Sequence, residues 1–259
     1  MKIITCNIRF SSMKQDTGPR FWQNRKDCCF SAIAKYDPDV ICLQECHNEQ
    51  LADFKAYFSG HDCVHGNSFA SEEYPENAIF YRRELYENCG VGAWYLSETP
   101  HIPGSTSWGT KCVRMVNWVL LRGAEGFVRV VNTHFDHISQ LARENAARMI
   151  NEDAAAWKDS FVQVLTGDLN CDPDNTAIQS LINAGWIDTM PDKTLYSPTL
   201  HDYIGKNWDQ DLGICGKGRM DYIFVRGILP QRNAEIVYDH NDEIYPSDHF
   251  FVYSEQKGI

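Results

Sequence analysis

Hydrophobic and polar positions follow two rhythms along the chain. Short apolar runs of strand length recur at 2–8, 40–44, 77–82, 91–96, 115–122, 127–135, 161–166, 220–225, 234–238 and 249–254. Between them stand stretches with a helical repeat. Residues 24–36 carry Cys29, Phe30, Ile33 and Ala34 as one stripe, with Asn24 as the expected N-cap and Asp37-Pro38 as the stop. Residues 47–58 read as a second helix. The longest, 139–158, sets Ala142, Ala146, Met149, Ile150 and Trp157 on one face behind a Ser139 cap. Asp172-Pro173 reads as a further helix start, closed by Gly185. Stretches 97–113 and 197–219 keep neither rhythm, and loops of that length tend to carry function. Buried strands interleaved with helices predict a large α/β protein with mixed sheets, two of them packed face to face with helices outside. No linker and no internal repeat interrupts the pattern, so residues 1–259 are expected to form one domain.

Composition adds little to that picture, but charge does. The 259 residues are 43% hydrophobic and 23% charged, which excludes a disordered or collagen-like chain. With 24 basic against 35 acidic residues the net charge is −11, so a general coat for nucleic acid is a poor reading. A local basic patch, or a metal bridging to phosphate, stays open. The 10 Cys form no C-x-x-C pair and several lie in apolar runs, as Cys42 does; buried, reduced thiols in a cytoplasmic protein are expected. No signal-peptide pattern follows Met1-Lys2, and no apolar stretch is long enough to span a membrane.

The candidate chemistry gathers where strands end. Asn7 and Arg9 close the first run, Gln44-Glu45 the second, His134 to His137 another, and Gly167-Asp168-Leu169-Asn170 the next. Asp221 opens a late strand and Ser247-Asp248-His249 the last. Each alone reads more readily as a solvated turn, a cap or hydrogen-bonded structure. Together, six polar endings on six buried strands predict one shared site, because functional groups of α/β sheets collect on the loops beyond strand ends. Asn7, Glu45, Asp168, Asn170, Asp221 and Asp248 all offer oxygen, the donor of hard cations such as Mg²⁺, Mn²⁺ or Ca²⁺. No H-E-x-x-H rhythm suggests zinc, and no G-x-S-x-G suggests a covalent nucleophile. Mg²⁺ held by few carboxylates usually shares its shell with phosphate oxygens, which points to a phosphate-ester substrate. A binding protein that holds a metal without turnover is the reading from another class.

The set Cys6-Asn7, Leu43-Gln44-Glu45, Thr133-His134, Gly167-Asp168-Leu169-Asn170, Met220-Asp221-Tyr222 and Ser247-Asp248-His249 resembles the endonuclease/exonuclease/phosphatase superfamily, from residue 3 to residue 253. Leu96 to Pro100, with Pro103-Gly104 and Trp108, resembles a bacterial subgroup of it. The resemblance implies a DNase I-like four-layer α/β sandwich and a Mg²⁺-dependent phosphoesterase of phosphodiesterase or nuclease type, with Mn²⁺ as an alternative ion. A phosphomonoesterase, or a lipid or inositol phosphate hydrolase, is the alternative with the same site. It implies Glu45, Asn7 and Asp248 at the metal, and Asp168 as the group that orients or deprotonates water. It implies Asn170 and His134 on phosphate oxygens, and His249, paired with Asp221, on the developing charge. Arg9, Arg114, Trp108, Asp136 and His201 are the candidates for touching substrate. Nucleic acid, nucleotide, lipid or sugar phosphate all remain possible partners, and a monomer is expected. Abasic endonucleases of the family carry Tyr at the place of His134, so that specialised activity fits less well.

Overall fold

In the computed structural model, which describes residues 1–66, 77–158, 161–208, 218–228 and 230–258, the two rhythms become two sheets and four helices. The strands up to mid-chain are β1 (Lys2–Asn7), β2 (Val40–Gln44), β3 (His61–Val64), β4 (Ile79–Arg82), β5 (Glu87–Tyr95), β6 (Met115–Gly123) and β7 (Gly126–His134). Then come β8 (Val162–Asp168), β9 (Ile187–Asp188), β10 (Asp221–Arg226), β11 (Glu235–Val237) and β12 (Phe251–Glu255). The helices are α1 (Trp22–Ala34), α2 (Asn48–Tyr57), α3 (Gln140–Ala155) and α4 (Thr176–Asn183). One sheet has the order β11-β12-β1-β2-β4-β3 and the other β5-β6-β7-β8-β10-β9. Each contains one parallel pair, β1 with β2 and β7 with β8. A parallel pair needs a crossover, and α1 and α3 supply these two.

Strand alternation sorts side chains into three cores. Ile3, Val40, Cys42, Ile79, Val128, Val130, Val164, Ile223 and Val252 fill the space between the sheets. Their neighbours Ile4, Cys6, Ile41 and Leu43 point the other way, under α1 and α2, against Phe30, Ile33, Leu51 and Phe54. Val131, Leu165, Tyr222 and Phe224 point outward under α3 and α4, against Ala146, Ile150, Ile178 and Leu181. Helix, sheet, sheet, helix is a four-layer α/β sandwich. Burying each large apolar side chain contributes roughly 1.5–3 kcal/mol, so all three interfaces hold the stack. The inner-facing column turns polar at one end. There Thr5 and Asn7, Gln44, Asn132 and His134, Thr166 and Asp168, and Asp221 replace the aliphatic residues, and all are buried. Among the described residues no helix is long and apolar enough to cross a membrane.

Several boundaries differ from the sequence pattern. Helix α1 starts at Trp22, with Phe21 as its cap residue, because Asn24 spends its side chain on the Gly18 carbonyl at 2.7 Å. Helix α4 starts at Thr176 with Asn175 as the cap, its side chain accepting from Ala177 N; Asp172-Pro173 forms the turn before it. Strand β5 extends back to Glu87 on an exposed sheet edge, where no apolar pattern is required. Strands β3 and β9 were not foreseen: β3 is half-buried along its length at the other sheet's edge, and β9 has two residues. Ser139 does cap α3, accepting from Ala142 N at 3.2 Å. Of the loop expected at 197–219, residues 209–217 lie outside the described residues.

Candidate active site

Ladder register assembles the deepest part of the site. His134 pairs with Asp168 across β7 and β8, and Asp168 pairs with Asp221 across β8 and β10. The three residues therefore share one rung, and all three side chains point between the sheets. Asn7, at the end of β1, reaches across from the opposite sheet. Its Nδ2 donates to Asp168 Oδ2 at 2.9 Å and to Glu45 Oε1 at 3.2 Å. His249 arrives on the turn before β12, with Nδ1 2.9 Å from Asp221 Oδ2 and Nε2 3.8 Å from Asp168 Oδ2. Asn170 N donates to Asp168 Oδ1 at 2.9 Å. The Asn170 amide nitrogen donates to Phe135 O at 3.1 Å and lies 3.0 Å from His134 Nε2. Asp168 is thus the hub, touched by groups from β1, β7 and the turn after β8.

Backbone geometry explains the residue types around that hub. A Cβ on Gly167 would stand 2.2 Å from the Thr133 carbonyl oxygen, so only glycine lets β8 run this close to β7 before Asp168. Arg9, Glu45 and Asn170 have φ of 51°, 59° and 50°, the left-handed region, and each follows the end of a strand. Such positions cost of order 1–3 kcal/mol for a non-glycine residue and cluster at functional sites. The turn at Glu45 is held by its own carboxylate, which accepts from Phe10 N at 3.3 Å.

Burial sets the electrostatics. It pulls the His249 pKa down, but Asp221 in hydrogen-bond contact, then Asp168 and Asp248, overcome it and raise the pKa to about 10. His249 is accordingly a cation at neutral pH. Burial also pulls His134 down, and the charges of Arg114 and His249 push the same way, so His134 is neutral. Burial drives the Asp168 carboxyl above the ordinary carboxylate range, with His249 and the Asn7 hydrogen bond opposing. One buried carboxylate therefore sits between a neutral and a charged imidazole. Asp168, Asp221 and His249 also bring their ligating atoms within 4.8 Å of one another. Their link is a proton on His249 Nδ1 shared with Asp221, and a protonated imidazole donates no lone pair to a metal.

The remaining candidates form the lip and its supports. Asp248 lies 3.5 Å from Arg9 Nη1, and Arg9 Nε donates to Asp16 at 3.1 Å, so Arg9 is held between two carboxylates. Arg114 Nη2 is 3.4 Å from His137 Nδ1, and its buried Nε has no hydrogen-bond partner. Asp136 is committed to the backbone: it accepts from Lys111 N, Ile138 N and Ser139 N at 3.1, 2.9 and 2.7 Å. Trp108 is tied to the same corner through its carbonyl, 2.6 Å from Ser139 Oγ. His201 is buried with its ring stacked on Phe250, and its backbone N donates to the Asp248 carbonyl at 2.8 Å. It underlies the Ser-Asp-His turn. Sequence reading passed over Arg25, which is fully buried and donates to Ile8 O, Arg9 O and Pro246 O at 2.8, 2.7 and 2.7 Å. It ties the turn after β1 to the turn before β12. A lone Arg on a helix carries no signal of that role.

One carboxylate thus stands between two imidazoles at the polar end of a four-layer α/β sandwich. A profile of the Endonuclease/Exonuclease/phosphatase family matches residues 4–249, and the chain belongs to that family. It is accordingly a hydrolase of phosphate esters. A conserved protein of unknown function from Enterococcus faecalis V583 is 27% identical, with 98% of each chain covered and a TM-score of 0.83. The endonuclease/exonuclease/phosphatase from Bacteroides vulgatus is also 27% identical, covering 97% of this chain and 96% of its own, at 0.83. A Bacteroides thetaiotaomicron mannosyl-6-phosphatase shares the fold at 23% identity, 98% of both chains and a TM-score of 0.84.

Proposed function

We propose that residues 1–259 act as one domain that hydrolyses a phosphate ester by direct attack of water, with Mg²⁺, or Mn²⁺ in its place, as cofactor. The observation that carries this reading is the placement of Asp168 between neutral His134 and protonated His249. Asp168 orients water and accepts its proton, helped by a pKa raised toward neutrality. His134 and Asn170 hydrogen-bond the phosphate oxygens. His249 places positive charge where negative charge develops, and can give its Nε2 proton to the leaving oxygen. Asp221 fixes the ring through Nδ1, as the acid of a triad does. Phosphoryl transfer asks mainly for positioning and charge neutralisation, which this set supplies.

The donor set fits a hard divalent cation. Glu45 and Asn7 stand side by side, the Glu45 carboxylate is only partly buried, and Asp168 lies on the other flank of Asn7. Glu45 and Asn7 would hold the ion, with Asp248 nearby at Arg9. Bound there, it would neutralise phosphate oxygens and lower the pKa of coordinated water.

A diester is the first substrate reading. A small monoester or sugar phosphate is the second, favoured by the net charge of −11 and by the pairing of Arg9 with Asp16 and Asp248, which leaves little free positive surface for a long polyanion. Arg114 is then the cation available to a second anionic group. The test is a panel of DNA, RNA, nucleotides, sphingomyelin, inositol phosphates and sugar phosphates with Mg²⁺ or Mn²⁺. Activity on at least one, abolished by EDTA, is expected; full activity in EDTA removes the metal from the reading. Steep loss with salt would select the polyanion.

A further inference from the structure

The site is drawn from two sheets that touch mainly through aliphatic side chains. Such contacts are non-directional, and they set the spacing of the sheets better than their offset. One layer below the reacting groups the inner face is polar instead. Thr5, Gln44, Asn132 and Thr166 are each fully buried there. Thr5, Asn132 and Thr166 stand two residues before Asn7, His134 and Asp168, and Gln44 stands one before Glu45. Gln44 Nε2 donates across the sheets to Asn132 Oδ1 at 2.7 Å, and within its own sheet to Thr5 Oγ1 at 3.0 Å. Thr166 Oγ1 lies 3.2 Å from the same Asn132 Oδ1 and 3.2 Å from the Val131 carbonyl, and shares its one proton between them. Asn132 Nδ2 returns across the gap to the carbonyls of Leu43 and Ala78, at 2.8 and 3.1 Å. Four strand ends that carry the proposed chemistry are thus joined through two amides: Asn132 meets Gln44 and Thr166, and Gln44 passes the link on to Thr5.

We propose that Gln44 and Asn132, seconded by Thr166 and Thr5, are positioning residues that fix the offset of the two sheets, so that Asn7 and Glu45 meet Asp168 in register. The assignment rests on the phosphoesterase reading for its kinetic consequence, and on distances alone for its structural one. Stability is a poor explanation of the layer. Gln44 Oε1 is buried without a partner, a cost that an apolar side chain of the same size would not carry. Directional bonds give what the aliphatic core lacks, and a misplacement of about 1 Å can cost about a hundredfold in rate.

Gln44→Met keeps the volume and removes both donated bonds. Its expected signature is an unchanged or raised Tm, with kcat lowered about 10- to 100-fold and KM within about threefold. Thr166→Val should lower kcat in the same sense, and Thr166→Ser, which restores the hydroxyl, should recover most of it. A crystal structure of Gln44→Met should show the Asn7 Nδ2 to Asp168 Oδ2 contact lengthened beyond hydrogen-bond range. Wild-type kcat in Gln44→Met, or an unchanged contact in its crystal structure, would overturn the proposal. So would losses of kcat that merely track losses of Tm across the set. If wild-type protein turns over no phosphate ester, it is the functional reading that fails, and the crystal structure of the variant still decides the positioning claim.

Discussion

The two sides of the candidate site are built on different principles. On the side of β7, β8 and β10, His134, Asp168 and Asp221 share a rung and are 4%, 1% and 0% exposed. Their backbones cannot shift without breaking strand pairing. On the side of β1 and β2, Arg9 and Glu45 lie just past the strands, in left-handed conformation and partly exposed. Turns and side-chain bonds hold them, and these can yield. The contrast matches what the proposed mechanism asks of each side. Proton transfer tolerates little error in distance, whereas a cation that exchanges with solvent needs a lip that opens. Breaking the two sides should therefore give different kinds of failure.

The largest effect belongs to the ladder side. Asp168→Asn keeps the shape and most hydrogen bonds but removes the base, and kcat should fall by about 10³-fold, within the range for a lost acid–base group. His249→Ala should fall comparably. Neither should be rescued by raising Mg²⁺. Steady-state kinetics on the best substrate of the panel checks this, and activity within tenfold of wild type for both variants would move the chemistry elsewhere.

Asp221→Asn tests the same side more finely. Wild-type activity should be lost at high pH as His249 loses its proton near pH 10. Asp221 is the main influence raising that pKa, against burial, so without it the alkaline limb must slide down. At an ordinary histidine pKa of about 6.5, only about 3% of His249 would stay protonated at pH 8, a loss of about 30-fold that acidification recovers. The acid limb, set by the raised Asp168, should lie above the ordinary carboxylate range in the wild type. A pH–rate profile that Asp221→Asn leaves in place would mean that the pair does not set the protonation state.

On the lip, Glu45→Gln should weaken Mn²⁺ binding by at least about tenfold, the effect reported by outer-shell changes alone. Part of the lost activity should return at high Mg²⁺. Calorimetric titration of wild type and variant with Mn²⁺ measures it, and equal dissociation constants would exclude Glu45 as a ligand. Rescue by cation on the lip and none on the ladder is the contrast in its sharpest form.

The strand ends on both sides were legible. Strand ends are marked by a switch from apolar to polar at a fixed parity, and Asn7, His134, Asp168 and Asp221 stand at that switch. The pattern that buried Val130 and Val164 also aimed Asn132 and Thr166 inward, so the polar layer beneath the site could be read from parity once the sheets were known to face each other. What the pattern could not give was anything set by geometry without periodicity. Arg25 acts through carbonyls on two turns that lie far apart in sequence, one after β1 and one before β12, and a carbonyl has no residue type. Edge strand β3 is only half-buried along its length and the first part of β5 is exposed, so neither stretch carries an apolar alternation. The starts of α1 and α4 were displaced because Asn24 and Asp172 had other work in local turns. Asp136 and His201 carried site-like residue types, yet the Asp136 carboxylate and His201 Nδ1 accept from backbone N–H groups.

The smallest expected effect lies where loop 97–113 meets the ladder side. Ser139 Oγ both accepts from Ala142 N, as the cap of α3, and donates to Trp108 O. Ser139→Ala loses both bonds and should cost about 1 kcal/mol, the usual value of a cap. For a chain of this size that is a Tm lower by about 2–4 °C. Ser139→Asp separates the two bonds. Aspartate caps as well as serine, so the helix keeps its end, but a carboxylate cannot donate to the Trp108 carbonyl and repels it. Its Tm should stay near wild type while the loop is released. If Trp108 helps to bind substrate, KM rises by a few-fold with kcat unchanged, because His134, Asp168 and Asp221 stay on their rung. Equal KM in Ser139→Asp and wild type would remove Trp108 from the list of substrate contacts and leave its loop as a cover over the start of α3.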